Sequence, residues 1–385
     1  MISKSEHIVP LTYGPGASMR TGKIAREFGV TKAIIVCDQG VKKAGIVDKI
    51  VASLEGAGLE YTVFDGVIAD PPDSVVEAAG ELARSEKVNG VIAVGGGSAM
   101  DAAKCVNVLI NNPSPITQWC APSVPTQDGV PLIMVPTTAG TGSEGTYGAV
   151  VTDTRMNRKR FVASRTICLA NMAIVDPELY VGMPEYPTVA CAFDAYTHAF
   201  DSICSAHAEP ITEMFSKECL RLVCKYLPQV IEDGTNIEAR GGLALAATYS
   251  GYAINSIMCH LTHLYGHTFG LAFHLPHGHC CAFVMPQIAE LYAKILPDRL
   301  KIVAECIGLE LPGDISNEEL GKTVKAAIQK FMKECGLKSL KELGYKKEEV
   351  MALVPVVTSD VAIAYVPQGL PLSKFASMLD EAYDQ

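Results

Sequence analysis

The sequence predicts an α/β amino-terminal domain with a doubly wound, Rossmann-like parallel sheet, followed by an all-helical carboxyl-terminal domain. Short β-branched apolar runs alternate with amphipathic segments in the first half of the chain. From about residue 184 this alternation gives way to long helical stretches. The 385 residues, of which 49% are hydrophobic, suffice for two cores. We therefore predict domains at residues 1–183 and 184–385.

Four continuous apolar runs predict strands that are buried on both faces of a parallel sheet. Amphipathic segments at 45–57 and 74–85 predict helices between strands, so the pattern is βαβα. The predicted strands are residues 32–37 (KAIIVC), 61–64, 88–94 (VNGVIAV) and 131–135 (PLIMV).

The second half shows helical periodicity without a comparable strand rhythm. A stretch around residues 192–198 contains no proline until Pro210 and is apolar enough for a buried helix. Further helices are predicted at residues 213–226, 238–257, 286–307 and 318–335.

Charge and cysteine usage exclude several classes of partner and compartment. A formal net charge of -10 argues against nucleic acid or anionic membrane surfaces as partners. Residues 1–10 lack the apolar core of a signal peptide, and no run approaches eighteen uninterrupted apolar residues. The thirteen cysteines are odd in number and form no Cys-x-x-Cys, which favours reduced, buried thiols. We expect a soluble, cytoplasmic protein.

Two glycine-rich turns follow predicted strands. The first runs from Gly95 through Gly96, Gly97 and Ser98 to Asp101, where Ser-x-x-Asp is similar to a capping box at a helix start. Its free N–H groups and helix dipole favour a bound phosphate. The spacing is not GxGxxG, so a plain tight turn is the alternative.

The second turn carries hydroxyl groups at the end of the next strand. Thr137, Thr138, Thr141 and Ser143 lie among glycines and are expected at the carboxyl edge of the sheet, where open α/β sheets bind ligands. A solvated loop is the alternative for this turn alone. Two such loops on neighbouring strands favour a nucleotide pocket.

Asp38 directly follows the first clear strand. An acidic side chain there can accept hydrogen bonds from a ribose 2′-hydroxyl and repels a 2′-phosphate, which favours NAD(H) over NADP(H). The alternative is that Asp38 only begins the turn Asp38-Gln39-Gly40.

Six of the nine histidines fall within residues 260–279. His263 and His267 stand four apart and share one helical face, as do Asp194 and His198 in the distant segment DAYTH. Imidazoles with one carboxylate form a nitrogen-rich site that suits Fe(II), Zn(II), Co(II) or Ni(II) better than Mg or Ca. Cys280 and Cys281 adjoin this cluster, but we interpret them as small core residues.

Taken in chain order, these motifs resemble the iron-containing (group III) alcohol dehydrogenase family, whose architecture is similar to that of dehydroquinate synthase-like proteins. The resemblance extends to about residue 290. It is carried by Asp38, GGGSAMDAAK at 95–104, PTTAGTGSE at 136–144, AIVDPEL at 173–179, DAYTH at 194–198, His263, His267 and His277-Gly278.

The resemblance implies an NAD(H)-linked oxidoreductase that acts on a small alcohol or aldehyde, commonly as a homodimer or larger homo-oligomer. It implies that four residues bind the catalytic metal, Fe(II) or sometimes Zn(II), and that His267 moves a proton or orients the substrate. The implied metal ligands are Asp194, His198, His263 and His277. The resemblance and the two loops together predict that the following residues contact the cofactor: Asp38, Gly95, Gly96, Gly97, Ser98, Asp101, Thr137, Thr138, Thr141 and Ser143.

Departures from the family pattern leave the substrate open. They occur at Ala192-Phe193, Asp201, His274 and His279, which we expect around the substrate pocket. For the individual histidines His260, His274 and His279, a supporting or structural role is the default expectation. The basic segment 153–161 is either a solvated turn or a site for an anionic group. Alternatives to a small neutral substrate are a phosphorylated or other anionic one, as in glycerol-1-phosphate dehydrogenase-like or dehydroquinate synthase-like enzymes, or a catalytically idle assembly subunit.

Overall fold

The computed structural model describes residues 8–366 and 370–384. Residues 1–7, part of the segment 1–10 that lacks the apolar core of a signal peptide, lie outside these ranges. The described chain divides into two compact units, with the division between Gly182 and Met183.

The first unit contains a parallel sheet with strand order β1-β8-β5-β4-β2-β3. All five strand pairs in it are parallel. A separate antiparallel pair is formed by β6 and β7. The strands are β1 (Leu11–Tyr13), β2 (Lys32–Asp38), β3 (Glu60–Val67), β4 (Gly90–Gly95), β5 (Leu132–Pro136), β6 (Gly148–Asp153), β7 (Arg158–Ala163) and β8 (Met172–Val175).

Both faces of the sheet centre are covered. All six residues of β4 are buried, and alternate residues of a strand point to opposite faces. The predicted parallel α/β domain and its four strands are therefore confirmed. The helices of this unit are α1 (Thr21–Glu27), α2 (Gln39–Lys43), α3 (Ile46–Gly56), α4 (Asp73–Ser85) and α5 (Gly97–Asn111).

The order of the strands brings the predicted nucleotide loops together. Strands β2, β4 and β5 are neighbours, so the turns after their carboxyl ends lie at one edge of the sheet. The chain reverses its direction of progress across the sheet between β2 and β4, and such switch points bind ligands in open α/β sheets.

The predicted capping box at residues 98–101 is wrong. Helix α5 begins at Gly97 with Gly96 as its N-cap, two positions too early for Ser98 to cap it. Ser98 instead accepts a hydrogen bond from the backbone N–H of Asp70.

The basic segment forms the β6–β7 hairpin, in which acidic partners neutralise much of its charge. Asp153, which is fully buried, lies 3.4 Å from Arg160 and 3.9 Å from Arg155. Lys159 pairs with Asp70 at 2.7 Å. Because these ion pairs already occupy basic side chains of segment 153–161, they favour a solvated turn over a binding site for an anionic group.

The second unit is helical, with no strand in residues 183–366 and 370–384. Helix α6 packs against α7, α8 and α10. The helices are α6 (Glu185–Ile203), α7 (Pro210–Glu232), α8 (Ile237–Ile257), α9 (Leu261–Phe273), α10 (His277–Ala282), α11 (Met285–Ile295), α12 (Pro297–Cys306), α13 (Asn317–Glu334), α14 (Lys347–Met351), α15 (Val354–Val357) and α16 (Leu372–Tyr383).

One helix prediction in this unit is wrong. Residues 286–307 form two helices, α11 and α12, because Pro297 has no backbone N–H and starts a new helix instead of continuing the first. In the described part of the chain, no helix combines the length and the apolar composition needed to cross a bilayer. All thirteen cysteines are free thiols, and ten are buried.

Candidate metal centre and nucleotide-binding loops

The glycine turn after β4 and the threonine turn after β5 are in direct contact. Gly95 pairs with Pro136 in the sheet, which aligns the two turns. A Cβ atom at Gly96 would lie 2.9 Å from Thr138 Oγ1, and one at Gly97 would lie 2.7 Å from Thr141 Cγ2. The absence of side chains at these glycines therefore lets the threonines cover the turn.

The start of α5 has the features of an anion site. Gly96 is extended at the N-cap and supplies no side-chain cap, so the first-turn N–H groups receive no hydrogen bond from it. The positive end of the helix dipole lies at the same point. Gly95 adopts φ +152, a conformation that side-chain-bearing residues rarely take, and Gly96 and Gly97 have no side chains to keep a pyrophosphate away from the backbone.

Asp38 ends β2 beside this turn. Its Oδ1 atom accepts a hydrogen bond from the N–H of Val41 and so caps α2. Its Oδ2 atom lies 3.5 Å from the position of a Cβ at Gly95. Asp38 thus both starts the turn, as the alternative interpretation held, and places a carboxylate oxygen against the glycine loop.

Two of the predicted cofactor residues are engaged inside the protein. Ser143 donates to Asp101 at 2.7 Å, and Asp101 also accepts from the N–H of Val150. The buried Lys104 ammonium donates to Ser143 Oγ at 2.7 Å and to Thr146 Oγ1 at 2.9 Å. Its third hydrogen bond goes to the carbonyl of Gly148. This network ties α5 to the threonine turn. Thr137 is buried, whereas Thr138 and Thr141 are partly exposed.

The four predicted metal ligands come from three helices of the second unit. Asp194 and His198 lie one turn apart on α6, His263 lies on α9, and His277 is the first residue of α10. Gly278 lets α10 approach α6 closely, since a Cβ there would lie 2.1 Å from the carbonyl oxygen of Ala190.

The side chains of these residues converge on one point. Asp194 Oδ1 lies 3.9 Å from His198 Nε2, 4.0 Å from His263 Nε2 and 3.8 Å from His277 Nε2. Two ligands that each bind an ion at about 2.1 Å can be at most about 4.2 Å apart. The observed separations are therefore those of donors arranged around a single ion.

The electrostatics of these side chains also fit a metal. Asp194 Oδ1 and His263 Nε2 are buried and have no hydrogen-bond partner, an arrangement that is costly without a cation. Burial raises the pKa of Asp194 to about 7. Burial and the neighbouring His263 hold the pKa of His198 well below its usual value, which keeps its imidazole in the neutral, metal-binding form.

Asp201 orients His263. Asp201 Oδ2 lies 3.1 Å from His263 Nδ1 and accepts hydrogen bonds from Thr262 Oγ1 and the N–H of His260. Burial alone would raise the pKa of Asp201, but His260 and His263 hold it below its ordinary value. Because a carboxylate only accepts, Nδ1 of His263 carries the proton and Nε2 presents its lone pair to Asp194.

His267 adjoins the four-residue set. Its ring stacks on that of His277 at a centroid distance of 5.5 Å, and its Nδ1 atom lies 3.0 Å from Asp360 Oδ2. The side chain of His267 is 38% exposed, so it reaches both the cluster and the surface of this unit.

The remaining histidines of the cluster have different surroundings. His260 is fully buried between Asp201 and the hydroxyl of Tyr292, as expected for a supporting residue. His279 is buried between the hydroxyl of Tyr186 and the carbonyl of Lys338. His274 is exposed at the end of α9.

Two of the departures from the family pattern have packing roles, which for His279 is the structural role expected by default. Phe193 is fully buried against Tyr196 and Phe331. The second is His279, whose two ring nitrogens are both occupied within the helical unit.

Asp201 and Asp360 have roles that were not predicted from the sequence. Asp201 had a local signal, since it follows Asp194 by seven residues on the same helical face. Asp360 had none, because 93 residues separate it from His267.

Comparison with protein-family models decides the affiliation. Residues 10–177 match the model described as iron-containing alcohol dehydrogenase, and residues 188–383 match the carboxyl-terminal model of the same family. The chain belongs to the iron-containing alcohol dehydrogenase family. It is therefore an oxidoreductase enzyme of that family.

Individual relatives agree with this family. The chain is 32% identical to choline dehydrogenase of Bacillus subtilis (strain 168), over 89% of this chain and 86% of that protein. It is 30% identical to NAD-dependent methanol dehydrogenase of Bacillus methanolicus, over 96% and 97%. A solved 1,3-propanediol oxidoreductase superposes with a TM-score of 0.93 at 29% identity, covering 99% of this chain and 100% of that one. NAD(H) and iron, the expected cofactors, are those of this family.

Proposed function

We propose that the protein is a metal-dependent, NAD(H)-linked alcohol dehydrogenase that interconverts a small primary alcohol and its aldehyde. The observation that carries this proposal is the convergence of three imidazole Nε2 atoms to within 3.8–4.0 Å of one buried carboxylate oxygen. A donor set of this kind is typical of Fe(II) and Zn(II) sites.

Asp194, His198, His263 and His277 would hold the ion. Bound there, a divalent ion would supply Lewis-acid polarisation of the substrate oxygen. Asp194 would supply the negative charge that balances the cation, and Asp201 would keep Nε2 of His263 directed at it.

His267 is the residue that we propose moves the proton. Asp360 accepts from its Nδ1 atom, so the lone pair of Nε2 is available to accept a proton or, when protonated, to donate one. Although burial opposes it, the hydrogen bond from His267 holds the pKa of Asp360 below its usual range, which keeps Asp360 an acceptor. The partial exposure of His267 would let it exchange that proton with water.

For the cofactor, we propose NAD(H) rather than NADP(H). The uncapped start of α5 and its glycine turn would bind the pyrophosphate, and Thr138 and Thr141 would line the adjoining surface. Asp38 would accept from the ribose hydroxyls and repel a 2′-phosphate. Asp101 and Ser143 would act on the cofactor indirectly, by fixing the threonine turn.

The substrate class is proposed only as a small molecule with a primary hydroxyl or an aldehyde group. The relatives are named for choline, methanol and 1,3-propanediol, which differ in charge and size. Phosphorylated and other anionic aldehydes therefore belong in the same substrate survey. A homodimeric or larger assembly and a cytoplasmic location remain predictions, to be tested by light scattering and by cell fractionation.

The deciding experiment compares chelator-stripped protein with the same sample reloaded anaerobically with Fe(II). We expect NADH oxidation with propanal only after reloading. His263→Ala and Asp194→Ala are expected to lose bound metal and turnover while still binding NADH. His207→Ala is the matched control, since His207 is an exposed histidine of the same helical unit and lies outside the donor groups. Full activity of stripped protein, or of either alanine variant, would contradict the proposed site.

A further inference from the structure

A cysteine thiol lies among the proposed metal ligands. Cys281 Sγ and the donor atoms of Asp194, His263 and His277 are all within 4.8 Å of one another. The closest contact joins Cys281 Sγ to His277 Nε2 at 3.6 Å. Two members of this group, Asp194 and His263, have buried donor atoms without a hydrogen-bond partner.

Backbone structure fixes the position of this thiol. Cys281 stands four residues after His277 on α10, so both side chains project from the same face of the helix. On the opposite side α9 is close, since a Cβ at Gly266 would lie only 2.2 Å from Cys281 Sγ. Cys281 is fully buried, and the tight packing around Sγ keeps it beside His277.

The contact with His277 links the thiol to metal binding. Without an ion, the S–H group can donate to Nε2 of His277, which is the same atom that the proposed metal site requires. When an ion takes the Nε2 lone pair, the thiol loses this acceptor. It can then replace the lost interaction by binding the ion itself, because its sulfur already lies among the donors.

We propose that Cys281 is a further ligand of this metal site for thiophilic ions such as Zn(II) and Co(II). This inference rests on the metal site of the proposed function. On binding, the S–H bond breaks, the sulfur keeps the electron pair and forms the bond to the ion, and the proton leaves to solvent. A harder ion such as Fe(II) gains less from the sulfur and relies on Asp194 and the three imidazoles.

Cys259 is the competing sulfur ligand. It groups with His198 and His263, but this set contains three residues and no carboxylate. It also lies between α8 and α9 and not on a helical face shared with a ligand. The geometry therefore favours Cys281, and the experiment separates the two cysteines.

The test is a titration of Co(II) into chelator-stripped, full-length protein. A sulfur ligand gives a thiolate-to-cobalt charge-transfer band in the near ultraviolet. We expect this band in the wild type at one equivalent, with release of a proton, and its loss in Cys281→Ser. Cys280→Ser is the matched control, since Cys280 is the adjacent buried cysteine and lies outside the donor group. Cys280→Ser and Cys259→Ser should both keep the band.

Competition with a chelator gives the second measurement. We expect Cys281→Ser to lower the affinity for Zn(II) by about tenfold to a hundredfold and the affinity for Fe(II) by less than about threefold. Thermal unfolding of the metal-free variants shows whether they are folded. Should Cys281→Ser not fold, X-ray absorption of the zinc-loaded wild type decides, because it reports directly whether sulfur is bound to the metal.

Several results would overturn the inference. One is Co(II) binding to the wild type without a charge-transfer band, and another is a band that persists in Cys281→Ser and disappears in Cys259→Ser. Either result leaves the proposed function standing if Fe(II)-dependent NADH oxidation is present. Absence of any metal binding by the wild type would overturn both proposals.

Discussion

Asp201 Oδ2 lies 3.1 Å from Nδ1 of His263, and this contact decides which nitrogen of the imidazole faces the other proposed metal ligands. The same oxygen also accepts hydrogen bonds from Thr262 Oγ1 and from the backbone of His260. A residue outside the proposed ligand set thus sets the direction of one of its members.

Asp201→Asn is therefore expected to weaken metal binding. The amide lacks the charge that favours the protonated Nδ1 of His263, and the loss of such partners typically costs tenfold to a hundredfold in affinity, roughly. Chelator competition with Co(II) measures the change. Tyr292→Phe is the control, because Tyr292 contacts His260 in the same network but not His263. Equal affinities in Asp201→Asn and the wild type would show that His263 needs no such partner.

Gly278→Ala is expected to disturb the contact between α10 and α6. The added Cβ would lie 2.1 Å from the carbonyl oxygen of Ala190 and 2.6 Å from Asp194 Cβ, so the backbone must shift. Overpacking of this kind costs about 1–3 kcal/mol of unfolding free energy. Because His277 would move away from Asp194, the bound metal should be lost as well.

Denaturant unfolding and metal analysis check the Gly278 prediction. Gly313→Ala is a suitable control, since a Cβ there meets no atom within 4 Å. A Gly278→Ala protein with wild-type stability and a full complement of metal would contradict the close packing described for these helices.

Asp38→Asn should relax the discrimination against NADP(H). Asparagine retains the cap on the N–H of Val41 but removes the charge that repels a 2′-phosphate. We expect the ratio of kcat/KM for NADH over NADPH to fall by about tenfold, which corresponds to about 1.4 kcal/mol. Asp65→Asn is the control carboxylate, because Asp65 pairs with Lys42 nearby. An unchanged ratio would confine Asp38 to its role in the turn.

Asp360→Asn should slow turnover without removing the metal. The amide still accepts the hydrogen bond from the N–H of Ala362, but it holds the imidazole of His267 less firmly. We expect kcat to fall by roughly tenfold, with a changed pH profile, if His267 moves the proton. Steady-state kinetics across pH and a metal determination check this. A lower kcat with the wild-type pH profile would assign Asp360 to the structure alone.

Much of the architecture was predictable because it depends on local patterns. The apolar run at residues 32–37 and the helical spacing of Asp194 and His198 are visible in the sequence and appear in the fold. The two wrong predictions, a single helix at residues 286–307 and a capping box at residues 98–101, also depend on local structure. Pro297 interrupts an otherwise continuous helical pattern, and the cap of α5 depends on where the turn after β4 ends. Such boundaries follow from a balance of a few hydrogen bonds, which apolar periodicity does not record.

The sequence by itself determined the two fold types, the family motifs and the residue types able to bind a metal, since these follow from composition and from spacing within one element. Only the tertiary structure decided that Asp201 orients His263, that Asp360 holds His267 and that Cys281 Sγ lies near the donor atoms of Asp194 and His263. Each of these contacts links residues on different helices or turns. Helical periodicity orders side chains along one helix, whereas close packing, as at Gly278 and Gly266, selects which faces of separate helices meet.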